Sequence, residues 1–174
     1  MYTKICTAQE AAELILDQAF LTCAGNMNNC LAEEICAAIE ARFLETGHPQ
    51  NMTIMSASGV GDMGPMGGVF RGFEHFAHDG MIRRVIVGHN GSNHSIMKMQ
   101  ADLKVESYNF PQGVIEHLFK ARARGLDVEL SKVGLGTFVD PRMEGGKTNS
   151  VTNENLVEVV SVLGEEYLAY RTPK

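Results

Sequence analysis

Two apolar spacings alternate along this chain: short unbroken runs, and runs that repeat every three to four residues. Thr7-Ala-Gln-Glu10 has the form of a capping box and predicts a helix to about Asp17. Ala19 to Cys23 is a short apolar run, the pattern of a buried strand, and Ala24 to Asn29 turns the chain. Leu31, Ile35, Ile39 and Phe43 recur every four residues and predict one apolar helix face, stopped by Gly47 and Pro49. Met52 to Ala57 reads as a strand, Gly59 to Gly68 as a glycine-rich loop, and Phe73 to Asp79 as a short helix ending at Gly80. Further on, strands are expected at Arg83–Val87, Lys104–Tyr108 and Val128–Val133, with helices over Asn93–Asp102 and from Pro111 to Gly125. Gly134 to Asn149 is a long polar loop, of a length that usually serves function. Leu156–Val162 and Tyr167–Tyr170, around Gly164, read as a β-hairpin. Strands alternate with helices, so the fold class is α/β, a mostly parallel sheet flanked by helices with a C-terminal β-hairpin. No linker divides the chain, and residues 1–174 are read as a single domain.

Composition narrows the function. The net charge of −6 argues against a general nucleic-acid binder, which needs a basic face. No apolar run is long enough for a membrane helix, and the N-terminus lacks the apolar core of a secretory signal. Cys6, Cys23, Cys30 and Cys36 have no CxxC spacing, which suggests reduced, mostly buried thiols and a cytoplasmic setting. The Asn-x-Ser/Thr sequences at Asn51 and Asn90 are then chance matches.

Candidate chemistry is sparse. Gly59-Val-Gly-Asp-Met-Gly64 matches the GxGxxG dinucleotide fingerprint, but Gly64-Pro-Met-Gly-Gly68 continues as loop where a helix should begin. His75 and His78 have the i, i+3 spacing of a metal pair without an evident third ligand, so no metal site is expected. No GxSxG elbow is present. Glu144 and Glu154 read as solvated loop charges or caps. His89, at a strand end, is placed to face a cleft. Asn109-Phe-Pro-Gln112-Gly113 differs in kind, because carboxamides at a strand-to-helix turn can hold an acyl carbonyl without adding charge. The alternative is that Asn109 caps the helix and Gln112 only decorates its first turn.

Four strings resemble the first halves of family I CoA-transferases, particularly acetate and propionate CoA-transferases. They are Arg42-Phe-Leu-Glu-Thr-Gly47, Val85-Ile-Val-Gly-His89, Glu106 to Gly113, and Lys132-Val-Gly-Leu-Gly-Thr-Phe-Val-Asp-Pro-Arg142, followed by Gly145-Gly-Lys147. The resemblance runs in order from about Thr7 to Tyr170. It implies one of two related α/β halves, fused or separate. The second half carries a glutamate that attacks acyl-CoA and becomes a glutamyl-CoA thioester. On this reading Gln112, Asn109 and Gly113 position the acyl carbonyl and the partner's glutamate. Gly25 and Asn28 shape the acyl pocket, and Gly136 and Thr137 lie beside them. CoA and a carboxylic acid are substrates, no further cofactor is needed, and the chain is expected to work as an oligomer with a β half.

The chain also departs from the family. Where the family's first turn reads roughly Gly-Phe-x-Gly-x-x-x-Pro-Glu, Gly25 and Glu33 match, but Asn26, Asn28 and Ala32 replace the aromatic, the second glycine and the proline. Asn90 stands where tryptophan is frequent. These changes imply a more polar or bulkier acyl group, and the catalytic glutamate is not expected in this chain. Two other readings remain at this stage: a non-catalytic acyl- or CoA-binding module or inactive remnant, and a nucleotide-binding oxidoreductase domain resting on Gly59–Gly64.

Overall fold

A computed structural model describes residues 5–61 and 70–172. Four strands form a parallel sheet in the order β1-β2-β3-β4: β1 Phe20–Thr22, β2 Met52–Ser56, β3 Ile82–Val87 and β4 Glu106–Asn109. β2 is buried throughout and β3 nearly so, because the sheet is covered on both faces. Alternate residues feed two separate cores. Ile54, Val85 and Val87 face one, while Met55, Ile86 and Tyr108 face the other.

Helices α1 (Ala8–Glu13), α2 (Glu33–Thr46) and α3 (His94–Ala101), with a 3₁₀ turn at Gly72–Phe76, cover the first face. Thr7 makes the expected capping box, but α1 stops at Glu13 rather than Asp17, leaving Leu14 and Leu16 exposed. α2 begins two residues after Leu31, yet Leu31, Ile39 and Phe43 of the four-residue repeat all pack against the first core. Cys36 and Ile39 are buried, whereas Ile35 is exposed. Gly47 closes α2 at φ 75°, a left-handed cap that suits glycine. The segment expected as a helix to Asp79 is this single 3₁₀ turn.

Helix α4 (Gln112–Ala123) and a three-stranded antiparallel sheet cover the second face. β5 (Val128–Ser131) does not extend the parallel sheet. It pairs with β7 (Glu165–Arg171), which also pairs with β6 (Val157–Val162), in the order β5-β7-β6. The expected hairpin is therefore two strands of this second sheet. Its inner face carries Leu168 and Tyr170, both fully buried, and Tyr170 packs edge-on against Phe110 at 5.4 Å.

The cysteines depart from expectation. Cys36 alone is buried, Cys23 is half-buried, and Cys6 and Cys30 are exposed. Burial pushes the Cys36 thiol up to about 12, so it stays protonated and inert. Among the described residues no helix is long and apolar enough to cross a membrane.

Candidate functional site

All four parallel strands end on the same side, where an open α/β sheet presents its loops to ligands. The first loop runs Gly25–Cys30 and is anchored to the loop after β2. Met27 N–H donates to the Gly59 carbonyl at 2.7 Å, and Ser58 Oγ donates to Asn26 Oδ1 at 3.0 Å. The loop turns at Met27 (φ 52°) and Cys30 (φ 57°), so its left-handed residues are not Asn26 or Asn28. Gly25 is half-buried and Asn28 exposed.

Beyond β3, Gly88 lets β3 and α4 meet. A Cβ there would lie 2.5 Å from Gln112 Cγ, 3.0 Å from Gln112 Cα and closer still to the Ala57 carbonyl. His89 follows, exposed. Beyond β4, the Val87 carbonyl accepts from Phe110 N–H at 3.0 Å and from Asn109 Nδ2 at 3.0 Å. Asn109 therefore does not cap α4. It ties the end of β4 to the end of β3, and Pro111 occupies the cap position with no side-chain cap bond. Gln112 and Gly113 open α4, both exposed, with Gln112 standing over Gly88. A 190 Å³ cavity beside them is lined by Pro111, Gly113, Val114, His117, Glu129, Ser131 and Val133.

The long loop after β5 returns to this edge. Asn109 N–H donates to the Gly146 carbonyl at 2.8 Å, and a Cβ at Gly146 would meet the Phe110 ring at 2.7 Å. Asp140 organises the loop from a buried position. It accepts from Gly136 N–H at 2.9 Å and from Arg142 N–H at 3.0 Å, and it pairs with the Arg142 guanidinium at 2.8 Å. The Arg142 guanidinium, then the Gly136 amide, hold the Asp140 carboxyl well below the usual carboxylate range. Gly136 and Thr137 are exposed on this loop. The Thr137 hydroxyl donates to the Gly134 carbonyl at 2.8 Å rather than toward Gln112. The structure thus gathers Gly25, Asn28, His89, Asn109, Gln112 and Gly113 along one line of strand ends. It joins Gly136 and Thr137 to that line only through the Asp140-centred loop.

Several residues do more than their sequence positions suggested. Gly59 and Gly61 are buried against Ser92 and Asn93, and Asn93 Nδ2 donates to the Val60 carbonyl at 2.8 Å. The space a pyrophosphate would need at these glycines is filled by the protein itself, which counts against the dinucleotide reading. Gly64 lies outside the described residues. His75 and His78 serve α2 instead of a metal. His75 bridges Glu33 Oε1 at 3.0 Å and Glu40 Oε2 at 2.5 Å, and His78 pairs with Glu40 Oε1 at 2.6 Å. Burial opposes a charge on His75, but the hydrogen bonds to Glu33 and Glu40 outweigh it and raise its pKa. Among the described residues no group of three or more His, Cys, Asp or Glu is arranged to hold a metal ion. Glu154 is an exposed loop residue, as expected, but it is not unpartnered. It pairs with the buried Arg84, which also pairs with Glu106, both at 2.5 Å. An arginine inside a strand pattern was the one sequence sign of this network.

No family model matches the chain. It is 40% identical over 171 residues to the caffeate CoA-transferase of Acetobacterium woodii, covering 98% of this chain and 32% of that protein. It is 35% identical over 168 residues to the acetate CoA-transferase YdiF of Escherichia coli K12, covering 96% of this chain and 31% of that protein. Crystal structures of the acyl-CoA transferase YdiF of E. coli O157:H7, as apoenzyme and as a thioester complex with CoA, superimpose at a TM-score of 0.85 with 34% identity, over 32% of their length. The chain thus spans about a third of the length of the curated relatives it matches.

Proposed function

We propose that this chain, a homologue of one third of the CoA-transferases, forms the acyl side of a CoA-transferase active site completed by further polypeptide. The observation that carries the reading is the Gln112 carboxamide. It is exposed at the head of α4, at the C-terminal edge of the parallel sheet, on a shelf that only glycine at position 88 permits.

The proposed chemistry uses a glutamate contributed from outside this chain. Its carboxylate attacks the thioester carbonyl, a C–O bond forms, the C–S bond breaks and CoA leaves as thiolate. The thiolate then attacks the glutamyl carbonyl of the anhydride, releasing the donor acid as its carboxylate and leaving a glutamyl-CoA thioester. An acceptor carboxylate reverses the two steps. Splitting one exchange into such steps is covalent catalysis. In each, negative charge grows on a carbonyl oxygen, and a fixed N–H donor aimed at that oxygen stabilises the transition state more than the ground state.

Gln112 Nε2 is the proposed donor. Asn109 is a positioning residue, because its side chain is engaged with the Val87 carbonyl and fixes the turn that presents Gln112. Gly113 leaves room beside Gln112, since a Cβ there would meet nothing within 4 Å. The Asn26–Asn28 turn offers the acyl group a polar wall, which suits a polar or bulkier acid. His89 borders the same cleft, and CoA is a substrate. With the enzyme completed, Gln112→Ala is expected to lower kcat by about a hundredfold, the usual cost of one oxyanion donor. Unchanged kcat would remove Gln112 from the mechanism.

A further inference from the structure

The two edges of the parallel sheet are finished differently. At β4 the chain closes its own edge. Tyr108 bridges to Lys147, Thr148 N–H donates to the Ser107 carbonyl at 2.9 Å, and Ser107 N–H donates to Thr152 Oγ1 at 2.7 Å. At β1 no such cover exists among the described residues. The Ala19 carbonyl accepts from Thr53 N–H at 2.9 Å, so this carbonyl and the backbone groups of Leu21 turn toward β2. Phe20 and Thr22, at alternate positions, turn theirs away. These N–H and C=O groups have no partner among the described residues. An open edge is a template for strand addition, and proteins normally close such edges, as this one does at β4.

Beside the open edge lies a 280 Å³ groove lined by Phe20, Thr22, Met55, Phe119, Arg122, Ala123 and Thr172. Its wall is largely apolar, and Phe20 packs only partly against the core beneath it. Thr172 is 5% exposed, and its hydroxyl has no partner among the described residues. A neighbouring strand would pair the outward groups of Phe20 and Thr22 and lay alternate apolar side chains into the groove.

We infer that β1 is an interaction edge, and that its occupant is an extended segment from the two thirds of a CoA-transferase that this chain does not span. The inference rests on the proposed function for the existence of that polypeptide. The length it must come from is what the relatives supply, since the chain covers 31–32% of each. A second copy is the weaker occupant, because β1 offers only three residues to pair.

The test is a chimera in which this chain replaces the matched third of the Acetobacterium woodii caffeate CoA-transferase, compared with the isolated chain by amide hydrogen exchange. Phe20 and Thr22 N–H are expected to exchange at least about a hundredfold more slowly in the chimera. Thr22→Pro removes an outward N–H and leaves the β1–β2 ladder intact. It is expected to spare the melting of the isolated chain and abolish the protection of Phe20 in the chimera. Equal exchange at both residues in chimera and isolated chain overturns the inference. So does a concentration-dependent dimer of the isolated chain that Thr22→Pro dissolves. CoA transfer by the chimera is read separately: transfer without protection sinks the edge and spares the proposed function, while protection without transfer does the reverse.

Discussion

Replacing Gly88 with alanine tests the geometry on which the candidate site depends. The added Cβ would lie 2.5 Å from Gln112 Cγ and 3.0 Å from Gln112 Cα, and it would press on the Ala57 carbonyl at the end of β2. Neither backbone can yield freely. β2 and β3 are paired from Met52 to Ser56, and the Phe110 N–H bond to the Val87 carbonyl holds the start of α4. Overpacking of this kind costs about 1–3 kcal/mol. For a domain of this size that is a fall in Tm of roughly 2–12 °C. The same push moves Gln112 outward, and a displacement approaching an ångström costs up to about a hundredfold in rate. Thermal unfolding followed by circular dichroism reads the first effect, and the kcat of the completed enzyme reads the second. Gly113→Ala is the control for the stability effect alone, since its Cβ meets nothing and the residue lies in the first turn of α4. It should gain about 0.4–1 kcal/mol from the stiffer unfolded chain. A Gly88→Ala protein that melts like the parent and keeps its kcat would refute the close approach of β3 and α4.

Three further outcomes follow from the same structure. Gly146→Ala places a Cβ 2.7 Å from the Phe110 ring at a φ of 74°, so chemical denaturation should show a loss of at least about 1 kcal/mol and freer exchange of the Asn109 amide. Arg84→Met strands Glu106 beside the sheet and should cost about 3 kcal/mol, whereas Glu154→Gln, at a half-exposed partner, should cost under about 1 kcal/mol. Equal effects would show that the pair with Glu154, rather than that with Glu106, carries the network. Burial opposes a charge on His75, but its hydrogen bonds to Glu33 and Glu40 outweigh this and favour the protonated form, so its folded pKa lies above its unfolded value. Its contribution is therefore complete below about pH 6.5 and is lost as pH rises through the raised folded value. A His75→Gln protein should lose that part of the alkaline fall in Tm, and an identical Tm–pH profile would contradict the assignment.

The parallel core was legible in the sequence because strands covered on both faces leave unbroken apolar runs, as at Met52–Ser56. The hairpin at β6 and β7 was legible from Gly164. β5 was readable as a strand but not as a member of the second sheet, since a four-residue run carries no record of its partner. The apolar face of α2 was legible at Ile39 and Phe43, but its start was not, because Ala32 at the cap position makes no side-chain cap bond. In the site, the strand-end carboxamides were visible as residue types. The division of labour between Asn109 and Gln112 was not, because it depends on a carbonyl 22 residues away, at Val87. The pairing of Arg84 with Glu106 and Glu154 is likewise a product of topology, linking three segments distant in sequence.

The most direct test of the account is CoA exchange between a labelled short-chain acid and an acyl-CoA donor. It is measured with this chain alone and again with the chain joined to the remaining two thirds of the caffeate CoA-transferase. No exchange by the chain alone, and exchange by the completed protein that falls with Gln112→Ala, is the predicted result. Exchange by the isolated chain would contradict it and would place the attacking carboxylate among these residues, with Glu144 the first to replace.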